Sequence, residues 1–210
     1  RVIQLDSFDG TTGFTVGGDA GTLAKNTLNF LEGSASLSMT LTYSTGSAYI
    51  EKTTLTSQDL TDFRLLGAWF IKVFIPSGFS ARFTSFTLRS GNDTGTNYWS
   101  KAVTAAHDGT AFKDGWNILR FDWSSATETG TVDETLMDSM RLTVAFTTGV
   151  AIPGFLVDDF THQLGSMYDL HYYSSYLFKS AAGVWIEKPT DDADTINLSG
   201  DAYKIFTDIG

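Results

Sequence analysis

In S-L-S-M-T-L-T-Y, residues 36–43, Leu37, Met39, Leu41 and Tyr43 fall on every second position, with serines and threonines between them. A period of two is what a strand with one buried face requires, because successive side chains leave opposite sides of the pleat. The same pattern returns at 140–146, where Met140, Leu142, Val144 and Phe146 alternate with Arg141, Thr143 and Ala145. Further strand-like runs rich in Thr, Val, Ile and aromatics occupy 2–8, 47–55, 63–75, 82–89, 97–103, 116–123 and 153–162. Clusters such as Gly91-Asn92-Asp93 and His107-Asp108-Gly109 separate them as turns. About nine strands at this spacing predict an all-β, antiparallel sandwich or barrel. One short helix is expected before the tail, from Asp133 to Met140, with Asp133 as its N-cap. By alternation Trp69, Phe121 and Trp123 belong to the core.

Composition bounds the rest. A chain of 210 residues, 42% apolar and 14% aromatic, is ordered and large enough for a real core. It carries 24 acids against 14 bases, a net charge of −10, which argues against a nucleic-acid partner. No cysteine is present, which removes disulfides, thiolate zinc sites and thiol nucleophiles together. No apolar run reaches the ~18 residues of a membrane span. The chain opens at Arg1 rather than Met, so processing or trimming is expected.

The composition shifts near Gly165. Residues 164–210 read as a small C-terminal appendage, with a helix-like spacing of Tyr168, Tyr172 and Tyr176, a strand-like run at 183–187 and an acidic loop at 189–194. The segment is too short for an independent core. Its eight aromatics, Tyr168 to Phe206, predict packing on the sandwich or on another subunit.

Four places in residues 1–163 resemble the jelly-roll β-sandwich of carbohydrate-binding modules and galactose-binding-like domains. They are L-D-S-F-D-G at 5–10 with Gly13-Phe14-Thr15-Val16, E-G-S-A-S-L at 32–37, D-G-W-N-I-L-R-F-D-W at 114–123, and F-L-V-D-D-F at 155–160. The resemblance implies that the first and last strands lie side by side. It also implies a structural calcium, with Asp9, Glu32 and Asp158 or Asp159 where ligands would stand. Such a hard cation takes several carboxylate and carbonyl oxygens. A lysine or arginine buried among these acids would replace the cation by a salt bridge. Sugar sites in such modules use aromatic rings that cover apolar sugar faces, and the candidates are Tyr49, Tyr98, Trp99 and Trp116. The tail, Y-Y-S-S-Y-L-F-K at 172–179 with G-V-W-I-E-K-P-T-D-D-A-D-T-I-N-L at 183–198, resembles structural proteins of tailed bacteriophages.

Catalytic patterns are missing. Glu32, Glu51, Glu128, Glu134 and Glu187 form no spaced pair of the kind glycosidases use, and Glu51, followed by Lys52, falls on a strand face expected to be solvated. His107, His162 and His171 lack metal-hydrolase spacing. The Gly17–Gly21 run lacks a following helix and reads as a loop. The expectation is therefore a non-enzymatic virion structural protein of a tailed bacteriophage, a capsid decoration or tail-associated part. Its partners would be other virion proteins, further copies of itself and glycans. The alternative is a secreted carbohydrate-binding module that recognises a polysaccharide.

Overall fold

A computed structural model of the chain describes residues 2–164 apart from 65 and 148. The first half runs β1 (Val2–Asp6), β2 (Phe14–Gly18), β3 (Ala24–Asn26), β4 (Ser36–Leu41), β5 (Ser47–Lys52) and β6 (Gly67–Ile75). The second half runs β7 (Phe83–Asp93), β8 (Asn97–Val103), β9 (Gly115–Asp122), β10 (Thr127–Thr129), β11 (Ser139–Phe146) and β12 (Ile152–Leu164). They make two antiparallel sheets. The first has the order β3-β4-β12-β6-β9, with β1 added to β12; the second has the order β10-β8-β7-β11-β5-β2. This is a jelly-roll sandwich, and β1 does pair with the last strand.

Alternation places the core as expected. Leu37, Met39 and Leu41 of β4 and Met140, Leu142 and Val144 of β11 are buried, and so are Trp69, Phe121 and Trp123. Tyr43 lies beyond the end of β4 and is 57% exposed. The helix expected at 133–140 is one 3₁₀ turn, Glu134–Leu136. Asp133 does cap it, accepting from the Thr135 amide at 3.1 Å, but Met140 is needed as an inward residue of β11. The glycines Gly17 and Gly18, read as loop, complete edge strand β2.

One end of the core is an aromatic cage. Trp69 and Trp123 lie 4.7 Å apart between ring centroids, Trp99 meets Trp123 at 6.0 Å, and His162 is ringed by Phe63, Trp69 and Trp123 at 5.0 to 5.4 Å. His162 is fully buried, and neither ring nitrogen has a hydrogen-bond partner among the described residues. Burial alone therefore lowers its pKa to about 3, and the imidazole is neutral. Residues 165–210, on which the appendage, its helix and the phage-like motifs fall, lie outside the described residues.

Candidate functional site

Residues that alternate inward on the second sheet leave their neighbours on its outer face. One cross-strand row there reads Thr15, Glu51, Arg141, Arg89, Ser100 and Thr127, from β2 to β10. The next row brings Gly17, Tyr49, Thr143, Thr87 and Ala102 together. Thr143 and Thr87 are half-buried and Ala102 is exposed, so these short side chains make an open floor. The β7–β8 turn forms a wall: the Thr94 hydroxyl donates to Glu51, and the Thr94 carbonyl accepts from Arg89 Nη1 at 3.1 Å.

Two tyrosines stand on this face. The Arg141 guanidinium stacks on Tyr49 at 4.5 Å, and the Arg89 guanidinium stacks on Tyr98 at 4.5 Å. Each stack holds a ring through its π face. Tyr49 also rests on Gly17, where a Cβ would come within 2.4 Å of the phenol ring and hydroxyl. Three strand spacings and four residues along the strand separate Tyr49 from Tyr98, so their backbone positions are about 20 Å apart, with Arg141 and Arg89 on the diagonal between them. Glu51 Oε1 accepts from Arg141 Nε at 2.9 Å and Nη2 at 2.8 Å. Glu51, expected on a solvated strand face, is instead the anionic centre of the site.

The other two candidate rings are elsewhere. Trp99 follows Tyr98 and so points the opposite way, into the aromatic cage, with 7% exposure. Period-two reading of Asn97-Tyr98-Trp99 already separates the two rings. Trp116 lies on the outer face of the first sheet, edge-on to Phe74 at 5.5 Å, and its indole N–H donates to Asn29 Oδ1 at 3.0 Å.

The four acids expected at a cation do not form one shell. Asp9 accepts from the amides of Ser34 and Ala35 and the Ser34 hydroxyl; the Ser34 amide most of all holds it below the usual carboxylate range. Asp158 Oδ2 accepts from the Leu31 and Glu32 amides at 2.6 and 3.1 Å, while burial raises its pKa. A β-bulge at Asp159, which has φ of 49°, turns that residue to Lys72 at 2.9 Å and Gln4 at 3.3 Å. The side chain of Glu32 is exposed. Among the described residues no three acids or histidines are grouped to hold a metal. The observation that does fit a cation is Asp158 Oδ1, buried without a partner among the described residues.

A cleft of about 510 Å³ at the β10 edge is lined by Thr61, Arg64, Glu128 and residues 131–135. Arg64 spans it, stacked on Trp99 at 4.7 Å and paired with Glu134 at 3.3 Å. Burial raises the Glu134 pKa, against the pull of Arg64.

No family model matches the chain, and no curated protein matches it by sequence. Solved structures do match the fold. A family 30 carbohydrate-binding module from a cellulosomal cellulase of Clostridium thermocellum aligns with 79% of this chain and 99% of its own, at TM-score 0.55 and 11% identity. The fold is a jelly roll like that of carbohydrate-binding modules. A family 11 module from a cellulosomal cellulase of the same organism gives TM-score 0.51 and 15% identity over 79% of this chain and 95% of its own. An exo-β-agarase matches 84% of this chain with 27% of its length, at TM-score 0.52 and 10% identity. These likenesses overturn the virion reading. The architecture is shared with carbohydrate-binding modules, and the phage-like motifs lie beyond the described residues. The expectations of capsid decoration, of virion-protein partners and of location in a particle fall with it. No described helix is long and apolar enough to cross a membrane.

Proposed function

We propose that this chain is a non-catalytic carbohydrate-binding module of a secreted protein, and that the outer face of the second sheet receives a polysaccharide chain. The observation that carries this reading is the pair Tyr49 and Tyr98, each stacked on an arginine, at the two ends of a diagonal that runs through Arg141 and Arg89 beside a floor of threonine and alanine. Rings offer flat apolar surface to the C–H faces of sugars, and Glu51, Arg89 and Arg141 offer bonds to their hydroxyls. An elongated polar face with spaced rings suits a run of sugar units better than a single monosaccharide.

The test is binding to a polysaccharide panel by affinity electrophoresis, followed by calorimetry on the best oligosaccharide. Tyr49→Ala and Tyr98→Ala should each weaken binding at least about tenfold, the scale of losing one desolvated aromatic contact. Binding by the double variant equal to that of the unaltered chain would refute the assignment of the face. A structural calcium is a separate proposal, supported by the resemblance and by the unpartnered Asp158 Oδ1.

A further inference from the structure

The face carries a charge arrangement that folding does not explain. Arg141 and Arg89 are direct cross-strand partners, and like charges placed opposite each other on one sheet face destabilise it. Glu51 sits on the other flank of Arg141 and takes two of its N–H donors, which leaves the row with one negative and two positive charges. Arg89 has no carboxylate within ion-pair distance among the described residues; its contacts are the Thr94 carbonyl and the Tyr98 ring. Lys52, Arg64, Lys72, Arg120 and Arg141 each have an acid, while Lys25, Lys101 and Lys113, like Arg89, have none among the described residues; of these four only Arg89 stands directly opposite another guanidinium. A protein with a net charge of −10 thus presents an uncompensated guanidinium where the ligand would lie.

We propose that the face selects an acidic polysaccharide, with the anionic group of one sugar unit seated against Arg89 beside Arg141. The proposal rests on the glycan-binding reading above. A planar guanidinium donates paired N–H bonds to a carboxylate or sulfate, and the anion also relieves the Arg–Arg repulsion. Tyr98, held by Arg89, then covers the same or the next sugar. Thr87 and Ser100 flank Arg89 on the floor and are short enough to let the anion approach.

The experiment uses the full chain and three probes: an oligogalacturonate, a sulfated carrageenan oligosaccharide, and an uncharged cello-oligosaccharide. Calorimetry is run at low and high salt with the unaltered chain, Arg89→Gln and Tyr49→Ala. An acidic probe should bind at least about tenfold more tightly than the neutral one, the scale of one charge-assisted pair. High salt and Arg89→Gln should remove that preference, while Tyr49→Ala weakens acidic and neutral probes alike. The two acidic arms tell a carboxylate from a sulfate. Far-ultraviolet circular dichroism and melting confirm that Arg89→Gln is folded; a misfolded variant leaves the salt dependence and the acidic-to-neutral ratio of the unaltered chain to decide. Tight binding of the neutral probe, without salt dependence or preference, would overturn the acidic-ligand proposal and keep the face. Binding of no probe would overturn both.

Discussion

His162 makes the stability of the sandwich depend on acid in a calculable way. Its pKa is about 3 in the fold, against 6.5 for an ordinary histidine, because Phe63, Trp69 and Trp123 surround it and, among the described residues, no acceptor or acid reaches either nitrogen. The unfolded chain therefore binds a proton that the native state refuses. The contribution is fully present above pH 6.5, declines as pH falls from 6.5 to 3, and is flat below. Between pH 7.5 and 5 the two pKa values give a loss of about 2 kcal/mol, and the whole span gives about 5 kcal/mol as an upper figure. For a domain of this size 2 kcal/mol lowers the melting temperature by about 4–8 °C. Other carboxylates also respond to acid, so the measurement is a difference. Urea unfolding followed by far-ultraviolet circular dichroism at pH 7.5 and 5.0 is compared for the unaltered chain and His162→Leu, which keeps an apolar side chain of similar size. The variant should lose about 2 kcal/mol less across that interval. Parallel pH profiles would refute the reasoning and mean that the imidazole has a proton acceptor.

Other perturbations test separate parts of the structure. Trp123→Ala should cost about 3–5 kcal/mol in urea unfolding, because it empties the middle of the aromatic cage. Gly67→Ala should destabilise by about 1–3 kcal/mol, since its Cβ would stand 2.4 Å from His162 Cε1 and 2.5 Å from the Phe63 carbonyl; an unchanged melting temperature would mean the cage can shift. Lys72→Met should lower the melting temperature by leaving the buried Asp159 carboxylate without its cation, and adding Asp159→Asn should restore most of the loss. If the calcium proposal is right, calcium raises the melting temperature and Asp158→Asn abolishes the rise; superimposed curves with calcium and with chelator would remove the site.

The strands that bury one face were legible in sequence because burial forces the period: 37, 39, 41 and 140, 142, 144 could not alternate otherwise. β3 and β10 were not legible, since each is three residues long and carries no buried side chain. The bulge at Asp159 was hidden for a different reason. A skipped residue changes parity without changing composition, so Asp158 and Asp159 looked like one inward and one outward acid, and both instead face partners on the outer side. Tyr49 and Tyr98 stand out in the sequence as candidates because turn-rich or polar residues flank them, and both lie on the outer face. Their arginines were not found, because Arg89 and Arg141 are far apart in sequence and meet only through the β7–β11 register. The separation of Tyr98 from Trp99 was available from parity alone.

Tyr49 lies on Gly17 with Arg141 against its ring, so its rotamer is selected during folding; on the proposed glycan-binding reading this is the ring the sugar meets. A free tyrosine at a strand edge would have to give up rotational freedom at the moment of binding, at a cost of about 0.5–1.5 kcal/mol. Here that entropy is surrendered in advance, and the readiness of the ring depends on a neighbour with no side chain. Any larger residue at position 17 would push the ring off its seat while leaving every hydrogen-bonding group of the face intact. Variation at a glycine that touches no ligand would then appear as altered affinity with unaltered chemistry.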